Sequence, residues 1–423
     1  MHLYFTFVQH RFTYNMFYTI VHWIKQQKTL LLKWLLCIFH ATLLLVVSYL
    51  LWNKSYSWGN ENELLRKLYT VQKILNINQP AGDENVVLIN VSFDKELVEI
   101  YDEYEIPMGT IDITDRSKLY RLFDVLGKES SYKYILCDIS LNKKYVTDSD
   151  SLLENRIETM QKIRFAHVDD EENPEGGSLA GEKTSYVGYT KTFLVDDFFK
   201  YEFIHRGQPT LAYDMWKDLT SGQMERKGFS YKLNGKMAVN SVILSFPFIE
   251  TRLYDEEGNK TIYNLGEDIL NSMADEDIVA LCADKIVLIG SFFEQDIHTT
   301  VVGELPGVLI NYNAYLALLN NDPRIPKLML LLIFVVYFIM TSAIVFSKGL
   351  TDIIPDRLFK IDIRFIEIIL TWFGYTFIMM LLCVLCYLFV GVYLDILIIA
   401  SWFTFLETIF KILNSTRRLK PTN

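Results

Sequence analysis

The sequence predicts a mixed α/β domain with a largely parallel central sheet, preceded by one transmembrane helix and followed by three. Three observations carry that prediction. Apolar runs reach membrane-crossing length, basic residues gather beside them, and the long acidic segment between them alternates short apolar strand-like runs with helical periodicity.

Within 423 residues there is room for two or three folding units. The hydrophobic fraction is 51% and the mean hydropathy +0.17, with apolar residues concentrated in Leu30–Trp52, Leu328–Ser347 and Phe365–Leu413. The first two runs match the roughly 20 helical residues that cross a hydrocarbon core. The third is too long for one crossing and divides at Gly391-Val392-Tyr393 into Ile366–Val390 and Leu394–Leu413, a helical hairpin. Four spans are therefore expected, at 29–52, 327–347 and two within 365–413.

Orientation follows from Lys and Arg, which cytoplasmic flanks retain. Arg11, Lys25, Lys28 and Lys33 accompany the first span, and no acid occurs before Glu61. Lys348, Arg357, Lys360 and Arg364 occupy the loop 348–364, and Arg417, Arg418 and Lys420 the tail 414–423. The alternation puts both ends inside and the domain 53–326 outside. A secretory signal peptide is the rival reading of the first span, but no small-residue cleavage site follows its apolar stretch. Residues 1–28, with Phe5, Val8, Phe12, Met16, Ile20 and Ile24 at helical spacing, suit an amphipathic segment in the cytoplasmic membrane interface.

Charge follows the same division. Segment 53–326 holds twenty-eight basic and forty-five acidic residues, a surface that repels phosphate backbones and excludes a nucleic-acid partner. Of five cysteines, only Cys137 and Cys282 lie outside the spans. The alternatives are one bridge or two buried thiols, and the apolar strand around Cys137 favours thiols.

Along the domain, Glu61–Leu75 reads as a short amphipathic helix. Val86–Val91 is a strand apolar on both faces, as in a buried parallel sheet. Thr114 is expected to cap a helix Asp115–Leu126, stopped by Gly127. Tyr134–Ile139 is the next strand, Leu152–Ile163 a helix and Arg164–Val168 a further strand. Asp169–Lys183 is a polar loop. Strands are expected at Tyr186–Leu194 and Val242–Thr251 around a helical Thr210–Leu219. The domain closes with a helix end at Ile278–Ala283, strand Lys285–Gly290 and helix Gly307–Leu319.

That closing stretch, KIVLIGSFFEQDIHTTVVGELPGVLINYNAYLALLN from Lys285 to Asn320, resembles the end of the second CHASE family, the sensory extracellular domains associated with cyclases and histidine kinases. Gly290, Asp296, Thr299, Pro306, Gly307, Val308 and Asn313 fit the family pattern, while Asn311 and Tyr312 replace its usual His and Ala. Upstream, Asp94 in VVLINVSFD, Arg116, Asp138 in YILCDIS and Asp150 occupy similar places, but the family's Trp-Pro motif is absent. The resemblance covers about Val86–Leu319, and one span before and three after is also the family arrangement. It implies a bacterial inner-membrane receptor whose periplasmic domain senses an unknown stimulus. Relatives of this kind commonly continue into a cyclase or kinase. This chain ends within about ten residues of its last span, so a signal is expected to leave through the helices, the loop 348–364 or a partner protein.

No enzymatic constellation is present: no G-x-x-x-x-G-K-[ST] loop, no H-E-x-x-H, and no G-x-G-x-x-G after a strand. Asp296, His298, Thr299 and Thr300 form the densest polar group, just beyond a buried strand, where ligands of α/β sheets gather, and the first three are taken as candidates. Asp94 and Asp138 reach the same edge if their strands flank Lys285–Gly290. These five are the candidate ligand-binding residues. The alternative is that they brace turns, with Asp296 accepting backbone N–H groups. No catalytic residue, cofactor or metal is assigned. Glu407, the one acid well inside the fourth span, reads as a helix-surface pair with Lys411. The expected role is a sensor acting on partner proteins or on a second copy through its spans. The rival is a structural subunit of an envelope complex.

Overall fold

The computed structural model describes residues 28–54, 62–75, 85–101, 104, 106–167, 177–189, 198–244, 253–255, 257–293, 296–346 and 364–418. The expected N-terminal amphipathic segment, the basic loop after the second span and the last residues of the tail lie outside these ranges. The chain forms two units: one of helices, and one spanning Trp52–Ile325 joined by Tyr387–Tyr393.

In the helical unit, α1 (Lys28–Trp52), α8 (Lys327–Val345) and, within α9 (Arg364–Val390), the stretch Thr371–Val390 are long and apolar enough to cross a membrane. These three make the chain a multi-pass membrane protein. Leu32, Phe39, Leu328, Ile339, Phe373 and Phe389 point outward, a distribution suited to lipid and not to water. Gly391, at φ +69°, ends α9, and α10 (Ile396–Arg418) follows.

Polar side chains join these helices internally. Trp402 Nε1 donates to His40 Nε2 at 2.9 Å, so the neutral ring carries its proton on Nδ1, 2.8 Å from Thr341 Oγ1. Ser48 and Tyr337 hydroxyls lie 2.8 Å apart. Glu407 pairs with Lys411 at 2.9 Å, as the sequence suggests, but it is not on a helix surface. It is buried and accepts the Tyr375 hydroxyl at 2.5 Å, which ties α10 to α9.

The second unit is built on six parallel strands. In chain order these are β1 (Val86–Asn90), β2 (Tyr134–Cys137), β3 (Ile163–His167), β4 (Thr184–Tyr186), β5 (Ile262–Asn264) and β6 (Ile286–Gly290). Their spatial order is β5-β1-β6-β2-β3-β4, with β6 central between β1 and β2. Alternation divides the side chains between two faces. Val87, Ile89, Ile135, Cys137, Val287 and Ile289 pack under α3 (Arg116–Glu129), α4 (Asp150–Thr159) and α6 (Asp275–Cys282). The other face is covered by α5 (Leu211–Thr220) and α7 (Gly307–Leu319). All but the last residue of α7 are buried, as its near-uniform apolar sequence requires. Cys137 and Cys282 are separate buried thiols.

Several expected boundaries move. Asp115, not Thr114, caps α3, its Oδ1 accepting the N–H groups of Ser117 and Lys118 at 3.0 and 3.2 Å. The helix passes through Gly127 and ends at Ser130 in the left-handed region. Gly127 is there for close approach: a Cβ would lie 3.1 Å from the Arg156 guanidinium. Helix α4 begins at Asp150 and stops at Thr159, because Ile163 pairs with Ile135 in the sheet. Of the expected strand Val242–Thr251, Val242 and Ile243 belong to a strand Ser241–Ile243 that pairs antiparallel with Lys200–Glu202 outside the central sheet, and 245–252 lie outside the described residues. Of Tyr186–Leu194, only the start joins the sheet, as the end of β4, and 190–197 lie outside the described residues. Within the polar loop, Ser178 bridges to Asn142 and Gly181–Lys183 form a single 3₁₀ turn.

Candidate functional site

The topology gives the site its address. Strand β6 ends at Gly290 and is flanked by β1 and β2, so the chain beyond all three emerges at one carboxyl edge. Asp138 is the first residue after β2, and its N–H donates to Ile289 O at 2.7 Å. Asp296 and His298 follow β6 at the start of a ribbon in which Ile297–Thr300 pairs with Gly303–Pro306. Helix α7 begins immediately afterwards, held by the Gly307 N–H donating to Asp296 O at 3.0 Å.

Gly307 sits where these groups converge. A Cβ there would lie 2.5 Å from Asp296 Oδ2, 2.5 Å from the Tyr189 hydroxyl and 2.8 Å from Asp138 Oδ2. Only glycine leaves room for two carboxylates and a phenol around the first turn of α7. Asp296 Oδ1 accepts from His298 Nε2 at 2.7 Å, and the imidazole is boxed by Phe198 (4.7 Å, edge-on) and Tyr189 (5.3 Å). Tyr201 donates to Asn311 Oδ1 at 2.8 Å, which turns the Asn311 amide so that Nδ2 faces Asp138 Oδ2 at 3.0 Å.

The electrostatics of this cluster are unbalanced. Burial pushes the Asp138 carboxyl well above the ordinary carboxylate range, and the charge of Asp296 pushes it further; the Asn311 amide opposes both. The Tyr189 phenol is also driven up, first by burial and then by the two aspartates. Among the described residues, no group of three or more His, Cys, Asp or Glu is arranged to hold a metal ion. The arrangement accepts positive charge from a proton or a cationic group.

The five residues expected at this site separate. Asp138, Asp296 and His298 come together. Asp94 does not join them: Lys118 Nζ lies 2.7 Å from its Oδ1, and the Gly266 N–H donates to its Oδ2 at 3.1 Å. Thr299 contributes its backbone, its carbonyl accepting the Phe198 N–H at 2.8 Å. Among the described residues the Asp296 carboxylate engages His298 and the Asp296 backbone carbonyl holds α7, while 294–295 of the same loop lie outside the described residues. Arg116 is a buried brace. It donates to Tyr145 O at 2.5 Å, Asp150 Oδ1 at 2.6 Å and Asn142 O at 2.7 Å, fixing the loop that follows Asp138.

Tyr189, Phe198 and Tyr201 are not among the residues expected from sequence; they lie about 100 residues before α7, Tyr201 on the three-residue strand Lys200–Glu202, too short to carry a periodic signal. Asn311 stands in the sequence as a departure from the pattern of the resembled family. Comparison with family models, curated proteins and solved structures finds no match to the chain. Fold and site together define a multi-pass membrane protein carrying a parallel α/β domain, with an acidic, aromatic-walled cluster at its sheet edge.

Proposed function

We propose that the chain is a membrane receptor of the CHASE type, with four spans and its α/β domain outside the cytoplasm, in the periplasm of a bacterial inner membrane. The fourth span is α10, and the basic flanks support the orientation. The carrying observation is the placement of Asp138, Asp296, His298 and Tyr189 around Gly307, the first residue of α7. Seven residues, Asn320–Pro326, lead from that helix to α8, so charge gained or lost at the cluster acts on the segment of chain that leads to the membrane. The receptor passes this change to partner proteins or a second copy, and no catalytic step is assigned.

Two measurements test this reading. Single cysteines at Ser178 and Thr422, in a cysteine-free background, are expected to react differently with an impermeant reagent: Ser178 in intact spheroplasts, Thr422 only after lysis. Equal reaction would overturn the orientation. Co-purification of the full chain from native membranes is expected to recover a kinase, cyclase or other signalling protein.

A second reading, a scaffold subunit of an envelope complex, is favoured by one feature. Lys95–Tyr101 and Pro107–Thr114 form a two-stranded antiparallel ribbon on which Leu97 is 73% and Met108 68% exposed. Isolated two-stranded ribbons are marginal in water and gain stability when covered. Recovery of envelope-assembly proteins alone would favour this reading over the receptor.

A further inference from the structure

We infer that Asp138 and Asp296 hold one proton between them near neutral pH, and that this proton is the stimulus-sensitive element of the receptor proposed above. The inference names the ligand class of that site and rests on the receptor reading for its role, though not for its existence.

Geometry carries it. Two carboxylate oxygens and a phenol oxygen crowd around the first Cα of α7, and like charges that close cannot both ionise cheaply out of water. Several elements face Asp138. The ribbon contributes Asp296 and His298; the segment after β4 contributes Tyr189; the strand Lys200–Glu202 contributes Tyr201; β2 itself contributes Cys137. From α7 come only uncharged Asn311 and Gly307, and from β6 only Gly290. Among the described residues the adjacent basic group, His298, is engaged with Asp296. That contact occupies Asp296, and burial beside its charge leaves Asp138 as the member that holds the proton. The N-terminal end of α7 favours negative charge, but its effect is spread over two carboxylates.

Linkage fixes the sign. Asp138 titrates higher in the folded chain than in the unfolded one. Its stabilising contribution is therefore full below the unfolded carboxylate range and is lost as pH rises through its folded value. Asp322, raised by burial to about 7, contributes in the same direction, so the useful readout is a difference between proteins.

The test uses the full chain in nanodiscs. Melting temperature is followed from about pH 4 to about pH 9 for wild type, Asp138→Asn and Asp296→Asn. Near pH 4, Asp138→Asn is expected to melt with wild type; above neutrality it is expected to melt higher, with the gap opening as pH rises. Asp296→Asn removes the charge that raises Asp138, so it is expected to move the wild-type loss to lower pH, and movement to higher pH counts against the pair. A protonated carboxyl C=O band in the infrared near pH 7, absent from Asp138→Asn, is the second supporting result. A gap independent of pH together with no such band overturns the inference. So does stabilisation of wild type above neutrality by a divalent cation, reversed by chelator and absent from Asp138→Asn, because the pair would then hold a metal in place of the proton. None of these outcomes depends on a signalling partner, so failure of the receptor reading leaves the proton count intact, and the reverse also holds.

Discussion

Two helices begin at the same carboxyl edge of one sheet, and they treat the aspartates beside them in opposite ways. Helix α3 opens with Arg116 and Lys118. The first anchors Asp150 and two carbonyls, and the second neutralises Asp94, which also receives the Gly266 N–H. Helix α7 opens with Gly307 and Val308 and brings no cation. Its aspartates, Asp138 and Asp296, face each other with one imidazole and one amide for support. Asp94 and Asp138 follow strands on either side of β6, so sheet position is nearly the same and only the covering helix differs. One half of the edge is built to hold the fold and the other to change charge.

The comparison makes predictions that differ in size and sign. The largest effect is expected at Arg116, where replacement by Ala strands Asp150 and two carbonyls in a buried loop. A loss of about 3–5 kcal/mol is expected in denaturant unfolding of the full chain. Next is the contrast between the two aspartates. Asp94→Asn removes a charge-assisted bond and is expected to cost about 2–3 kcal/mol, toward the lower figure because Lys118 is partly hydrated. Asp138→Asn near pH 7 is expected to leave stability unchanged or raise it, and a loss matching that of Asp94→Asn would erase the proposed distinction.

A smaller cost, about 1–3 kcal/mol, is expected for Gly307→Ala, whose methyl would displace Asp296 and Tyr189. Combining it with Asp296→Ala is expected to recover part of the loss, because one of the crowded oxygens is then gone. The smallest effect is expected at Thr299. Its backbone carbonyl is the group in use, so Thr299→Ala is expected to stay within about 0.5 kcal/mol of wild type by melting.

Three apolar spans, the buried strands β1, β2 and β6 and the limits of α7 were legible in the sequence, because each is a continuous apolar run whose place out of water is decided by composition. Strand β5, only three residues long, was not legible, since its partner β1 lies more than 170 residues away and selects it by pairing. The ribbon Lys95–Thr114 was also hidden, because a half-exposed ribbon has no core-facing periodicity strong enough to announce it.

The site divides along the same line. The residue types and the place where they leave the sheet followed from sequence alone: a carboxylate after each of β1 and β2, and Asp296 with His298 after β6. Whether each aspartate is neutralised depended on tertiary structure, through a lysine in the first turn of α3 that reaches Asp94 and a glycine admitting Asp296, Asp138 and Tyr189 to one point. Local composition fixes which segments leave water, but the charge state of a buried carboxyl depends on groups within a few ångströms, and the chain brings those together from more than 150 residues apart.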